Sequence, residues 1–226
     1  MIRRLKLKTL DSIEFFRTGL NDHEYPTHYH DTFCISLIEK GTLCKNDLLA
    51  SSKTILISHP QEVHKNKAFK DSFYAHLRIS LSPDLIKFIS KSQRTFFEEQ
   101  LVYDEALFFE LRDLSERTFE KTPNKSFEKD LFRNLKTLIR NHSSKSSPQK
   151  TLTDPLVNDV KQHISKNLDS KIVLEDLSKK FGMSKYKFIR WFKRNVGLTP
   201  FDYIILNRIE NGKQMINQGK SLLETS

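Results

Sequence analysis

The stretch Leu174–Gly197, LEDLSKKFGMSKYKFIRWFKRNVG, restricts the fold of this chain more than any other segment. Leu174, Leu177, Ser178 and Phe181 recur at spacings of three and four, which puts them on one stripe of a short helix. Glu175 and Asp176 occupy its first turn, where the helix dipole favours anions. Gly182 can enter the left-handed region without a Cβ clash and so ends that helix. Ser184 is a natural N-cap for the next one. Two short helices broken in this way have the layout of a helix-turn-helix, which sets one helix across a DNA backbone and the next in the major groove.

The second helix sorts its residues by side. Phe188, Trp191, Phe192 and Asn195 lie together, and three large apolar side chains mark that side as the one facing the core. Tyr186, Ile189, Arg190 and Lys193 fall on another side, at i, i+3, i+4 and i+7. Between Ser184 and Asn195 stand five cations (Lys185, Lys187, Arg190, Lys193 and Arg194) and no acid. A solvated basic face would share this charge, but cap, breaker and sidedness agree on a nucleic-acid contact.

The remaining composition is consistent with a polyanionic partner. The 226 residues hold 38 Lys/Arg and 28 Asp/Glu, a net charge of +10. Lys150–Ser226, with 14 cations and 8 anions, carries +6 of it. The length leaves room for two domains. Cys34 and Cys44 match no metal-knuckle spacing; they read as reduced core thiols, or as a pair if opposed on neighbouring strands. No apolar run approaches the roughly 20 residues of a membrane span, and MIRRLKLKTLDSIEFF lacks an apolar core and cleavage site. A soluble, cytoplasmic protein with no membrane partner is expected.

Three regimes follow one another along the chain. Up to residue 82, β-rich runs (Thr32 to Ile38, Thr54 to Ile57, Phe73 to Leu81) are divided by turn signals at Lys40-Gly41, Lys45-Asn46-Asp47 and His59-Pro60. That pattern suits a small antiparallel barrel or sandwich. From Ser82-Pro83-Asp84 the period becomes helical, with Leu85, Ile86 and Ile89 on the first helix. Asp104 to Glu120 carries Leu107, Phe108, Leu111, Leu114 and Ser115 on a stripe, and Phe127 to Ile139 carries Leu131, Leu135 and Leu138. These helices could pack on the barrel, on each other or on a second subunit. A polar linker, 143–151, separates them from an amphipathic helix over Pro155 to Lys166. Thr199-Pro200 then opens a long helix, Phe201 to Gln218.

The last third resembles the DNA-binding domain of the AraC/XylS family of bacterial transcription regulators. The matching residues are Ile172 to Ser178, Gly182-Met183-Ser184, Phe188 to Lys193, and the element Gly197-Leu198-Thr199-Pro200-Phe201-Asp202-Tyr203 followed five residues later by Arg208. Gly212 departs from the alanine usual in that helix and should cost about 1 kcal/mol. The first part resembles the family's cupin-type effector domain through His28-Tyr29-His30-Asp31, Ile38 to Gly41 and Leu56 to His64. The resemblance implies an α+β chain: a cupin-like antiparallel β-barrel that binds an effector (1–82), a helical dimerisation segment (83–142), the linker, and an all-α helix-turn-helix domain (152–226). Ser221 to Ser226 looks like the opening of the second helix-turn-helix that family members carry, and the chain stops there.

The resemblance places the base-reading residues at Tyr186, Ile189 and Arg190, which the helical sidedness also turns outward. Arg190 suits guanine and Ile189 a thymine methyl; a structural ion pair between Arg190 and an acid of the lead helix is the alternative. Ser184, Lys185, Lys193 and Arg194 are expected on phosphates. His28, His30 and His64 occupy positions resembling three of the four metal ligands of catalytic cupins, but Cys34 and Ile35 stand where the acid is usual. Three histidines could hold zinc or iron; the resemblance instead implies an organic effector, with no metal or other cofactor. His76 and Arg78 share a strand face and could line the same pocket, Arg78 facing an anionic effector or a surface acid. The expected protein is therefore a homodimeric regulator of double-stranded DNA that senses a small molecule. Two alternatives stay open: a metal-dependent cupin enzyme, resting on the histidines alone because no catalytic triad, P-loop or dinucleotide fingerprint is present, and a truncated, non-binding partner that forms mixed dimers.

Overall fold

Alternation of side chains builds the first half of the chain and helical periodicity the second. The computed structural model describes residues 2–7, 10–19, 22, 24–70, 72–92, 95–120, 124–144 and 154–217. Among them are eight strands, all paired antiparallel, and seven helices, an α+β composition. The chain divides into two units, Met1–Gln149 and Lys150–Ser226.

The first unit contains β1 (Ile2–Leu7), β2 (Leu10–Arg17), β3 (Phe33–Lys45), β4 (Leu48–Ser51), β5 (Ile55–Ser58), β6 (Asn66–Ala68), β7 (Tyr74–Leu81), α1 (Pro83–Ser90), β8 (Leu101–Val102), α2 (Glu105–Glu120) and α3 (Lys125–His142). The strands run in the order β1-β2-β7-β3-β5-β8, while β4 and β6 flank the far end of β3. Odd-numbered residues of the central strands, among them Ile13, Phe15, Ile35, Leu37, Ile57, Leu77 and Ile79, share one buried cluster with the apolar stripes of α1, α2 and α3. The period of two sends Cys34, Ser36, Ile38, Leu56, Ser58, Tyr74, His76, Arg78 and Ser80 to the opposite face. One face is thus a dry core and the other is studded with polar groups. Both cysteines are free and buried.

Two expectations change. Lys40-Gly41 is not a turn: β3 runs through it, and its register against β7 shifts between Ile38 and Lys40. Gly41, beyond that bulge, has φ +68°, and a Cβ there would lie 1.8 Å from the Phe73 carbonyl oxygen, so only glycine fits where β3 meets β7. Strand structure also continues beyond residue 82, because β8 pairs with β5 inside the stretch read as helical. The apolar stripes of α1, α2 and α3 share one buried cluster with the sheet and with one another. Finally, β1 and β2 were not read from the sequence, yet β2 pairs with β7 and carries Ile13 and Phe15 into the core.

The second unit contains α4 (Pro155–Lys166), α5 (Leu174–Lys180), α6 (Lys185–Val196) and α7 (Pro200–Asn217). Asp154 caps α4 by accepting the Leu156 amide at 3.1 Å. Glu175 and Asp176 sit in the first turn of α5, Gly182 has φ +69°, and the Ser184 hydroxyl accepts the Lys187 amide. Val157, Val160, Ile164, Leu177, Phe188, Phe192, Leu198, Tyr203 and Ile204 are buried. The element around Gly197 is largely a device for turning the chain. Gly197 ends α6 at φ +85°, Thr199 and Asp202 cap α7, and Tyr203 packs edge-on to Phe192 at 5.4 Å. Arg208 donates to the carbonyls of Leu168 and Ser170 at 3.0 and 2.7 Å, tying α7 to the loop after α4. Residues 145–151 of the expected linker and Ser221 to Ser226 lie outside the described residues.

Candidate functional site

Two chain crossings bring the N-terminal histidines together. His28 and His64 form an isolated antiparallel bridge, each amide donating to the other's carbonyl at 2.9 and 2.8 Å. Their rings stand 4.4 Å apart, with the His30 ring 4.9 Å from the first and 5.4 Å from the second. One ring nitrogen of each lies within 4.8 Å of the others. The Nδ1–H of His28 donates to the Pro26 carbonyl at 2.7 Å and that of His64 to the Glu62 carbonyl at 2.8 Å. These bonds fix the tautomer and leave the lone pair on Nε2. Burial, only partly offset by the Glu62 carbonyl, holds His64 neutral, its pKa down at about 4.

Arg78 borders this cluster. One guanidinium nitrogen lies 3.5 Å from His30 Nε2 and the other 3.5 Å from Glu14, while the plane sits 4.9 Å over the Phe16 ring. Its Nε is buried with no hydrogen-bond partner among the described residues. His76 shares the strand face with Arg78 but belongs to a different set of contacts. Its ring is stacked on Tyr74 and tilted against Phe16, and its Nδ1 is 3.4 Å from the Thr18 hydroxyl. Burial and the Arg78 charge depress its pKa to about 3. The five candidates thus resolve into a histidine cluster bordered by Arg78, and one core histidine beside it.

Sequence reasoning missed the groups that brace the cluster from beneath. Lys45, 1% exposed, places its ammonium 2.6 Å from Glu62, 3.2 Å from the Ile57 carbonyl and 3.0 Å from Gln100. Glu62 also accepts the His59 amide at 2.8 Å. Burial raises the Glu62 pKa, but the His59 bonds and the Lys45 charge outweigh it and leave the carboxyl at about 2. The bond that orients His64 therefore comes from a residue that is itself anchored on both sides. Glu14, Phe16 and Thr18 were missed with β2. The signal available was the alternation in Ile13-Glu14-Phe15.

The basic helix of the second unit presents its residues differently. Tyr186 is 79% exposed, and Ser184, Lys185, Lys187, Arg190, Lys193 and Arg194 are all exposed; Ile189 is half-buried. Phe188 and Phe192 face the core, and the Trp191 indole N–H donates to Asp154 at 2.9 Å. No ion pair joins Arg190 to Glu175, Asp176 or any other acid among the described residues. The alternative of a structural pair with the lead helix is thereby removed.

No protein-family model matches the chain. An uncharacterized HTH-type transcriptional regulator of Bacillus subtilis (strain 168), YbfI, is 26% identical over 231 residues, covering 96% of this chain and 82% of the relative. Among solved structures, ToxT from Vibrio cholerae O395 shares the fold with a TM-score of 0.54 at 12% identity, over 92% of this chain and 83% of that one. A second Vibrio cholerae ToxT structure gives 0.51 at 11% identity, over 92% and 84%. The motif resembles that of the AraC/XylS family, the sequence relative is an HTH-type transcriptional regulator, and the ToxT structures share the fold. Among the described residues, no helix is long and apolar enough to cross a membrane.

Proposed function

We propose that this chain is a transcription regulator in which α6 enters the major groove of double-stranded DNA and the N-terminal unit senses a small molecule. The observation that carries the reading is the outer face of α6. Tyr186 and Arg190 stand exposed one turn apart, no acid among the described residues holds Arg190, and Lys185, Lys193 and Arg194 surround them. A guanidinium held in this way keeps both donor edges for guanine O6 and N7, while the lysines meet phosphates. Ile189, half-buried at the margin of that face, can offer an apolar contact to a thymine methyl.

The polar face carrying His28, His30, His64 and Arg78 supports effector binding by the N-terminal unit, because it gathers oriented hydrogen-bonding groups above an otherwise dry sheet. Homodimerisation through 83–142 belongs to the same reading. The inward faces of α1, α2 and α3 are occupied by the sheet, and Phe88 and Phe109 remain exposed on α1 and α2. The test is selection of duplexes from a randomised pool by the full chain, repeated with Arg190→Ala. An enriched motif that loses one defined base position in the variant is the expected result. Equal affinity for all duplexes by the unsubstituted chain would overturn the reading.

A further inference from the structure

We infer that the outer face of α3 is a second DNA-contacting surface, a row of cations that meets the phosphate backbone of the duplex without reading its sequence. This rests on the reading of α6 as a DNA-binding helix and extends it to the N-terminal unit. At about 100° per residue, Lys125, Lys129, Arg133, Lys136 and Arg140 fall within an arc of about 80°, and all of them are exposed. At about 1.5 Å per residue the row is roughly 22 Å long. Asp130, the acid at the edge of that face, pairs with Arg133 at 3.1 Å. Lys125, Lys129 and Lys136 have no acid partner among the described residues.

Folding does not account for the row. Lys125 stands in the first turn of α3, where the helix dipole opposes a cation. Lys125 and Lys129, Lys129 and Arg133, and Lys136 and Arg140 are like charges four residues apart, an arrangement that destabilises a helix. The helix is held by its inner side, where Phe127, Leu131, Leu135 and Leu138 join the core. Its outer side carries the repulsion, and a polyanion laid along it removes that repulsion.

The make-up of the face selects the partner. A protein interface is centred on apolar side chains, and a helix lying on a bilayer sets them beside its cations. Here Phe132 is half-buried against the core and meets Phe88 edge-on at 6.2 Å, at the margin of the row rather than within it. Phosphates ask only for charge along a line. A two-fold pairing of the face with itself would set cation against cation, which leaves homodimerisation to the other surfaces of 83–142. The α3 helix ends at His142, and the ten Cα steps from Ser144 to Asp154 span at most about 36 Å. A duplex held by α6 is therefore met by the row at a high effective concentration.

The test measures binding of the full chain to random-sequence duplexes between about 50 and 200 mM salt. Lys129→Gln with Lys136→Gln is compared with a control of equal charge, Lys67→Gln with Lys70→Gln, at exposed positions in and beside β6. The α3 pair should lower the slope of log K against log salt by about two units, so that the affinity lost over that range shrinks about tenfold. The control should leave the slope alone, and the base motif enriched by the α3 variant should be that of the unsubstituted chain. Circular dichroism checks the fold, which substitutions that relieve like-charged neighbours should not harm. An unaltered slope with the motif intact would overturn this inference alone, whereas a chain that binds no duplex overturns the reading of α6 as well. An equal change in the control would make the effect one of net charge and sink the row. Phosphatidylserine vesicles bound through the same two lysines, with the slope on DNA unaltered, would assign the row to a lipid surface instead.

Discussion

The indole N–H of Trp191, on α6, donates to Asp154 at 2.9 Å, and the same carboxylate caps α4 through the Leu156 amide. One side chain thus starts the first helix of the unit and holds the basic helix from behind. The face opposite Trp191 is the one that presents Arg190, so this bond helps set the angle at which Arg190 leaves the domain.

Asp154→Ala removes cap and indole acceptor together. It should lower the stability of the second unit by about 1–3 kcal/mol. Trp191 is the single tryptophan of the chain, so its fluorescence in a urea titration reports that unit alone. An unchanged midpoint would show that the bond contributes nothing.

Lys193 stands exposed one turn beyond Arg190, which separates phosphate contact from base reading. Lys193→Ala should weaken binding to all duplexes alike and reduce the salt slope of log K by about one unit. Loss confined to one sequence, with an unaltered slope, would assign Lys193 to a base instead.

The helical unit was legible in the sequence because its partners are close in the chain. The stripe 174, 177, 178 and 181, the φ +69° of Gly182 and the Ser184 cap are all decided within one or two turns. The sheet was harder to read because its decisive partners are distant. Phe16 breaks the alternation of β2 because it lies under Arg78, 62 residues away, rather than in the core. Gly41 looks like a turn until the Phe73 carbonyl is seen against it. Lys45 looks like a turn cation until Glu62 is found beside it. The three histidines were found through the resemblance, but the carbonyls that orient them are invisible in a residue pattern.

The Lys45–Glu62 pair makes a test of what braces the histidines. Glu62→Ala leaves a buried ammonium without its counter-charge and should cost about 3–5 kcal/mol. Lys45→Met with Glu62→Leu should be less harmful than the two single losses added, although Ile57 and Gln100 still lose their donor. A double-mutant cycle by urea denaturation should return a coupling of about 1–3 kcal/mol. Strict additivity would show that the two side chains do not act as a pair.

His76 links the stability of the N-terminal unit to pH. It is neutral in the fold, with a pKa of about 3, lowered by burial and by Arg78, against an ordinary value of 6.5. Between those values the unfolded chain binds the extra proton. The contribution of His76 is therefore complete above about pH 6.5 and declines as pH falls toward 3, at up to about 1.4 kcal/mol per pH unit. Urea midpoints measured from pH 7 to 4 should fall, and His76→Gln should show a shallower fall. Parallel curves for the two proteins would refute the assignment.

Gly212 lies within α7, and a Cβ placed there would meet nothing within 4 Å. Its backbone lies outside the left-handed region, so alanine can take its place without strain. Gly212→Ala should stabilise the second unit by about 0.5–1 kcal/mol, through helix propensity and a less disordered unfolded chain. That corresponds to a rise in Tm of roughly 2–8 °C for a unit of this size. DNA affinity should stay the same, because the substitution touches no residue of α6. A lower Tm would mean that α7 needs a break at this glycine, for instance to bend around a partner that the alanine helix no longer accommodates.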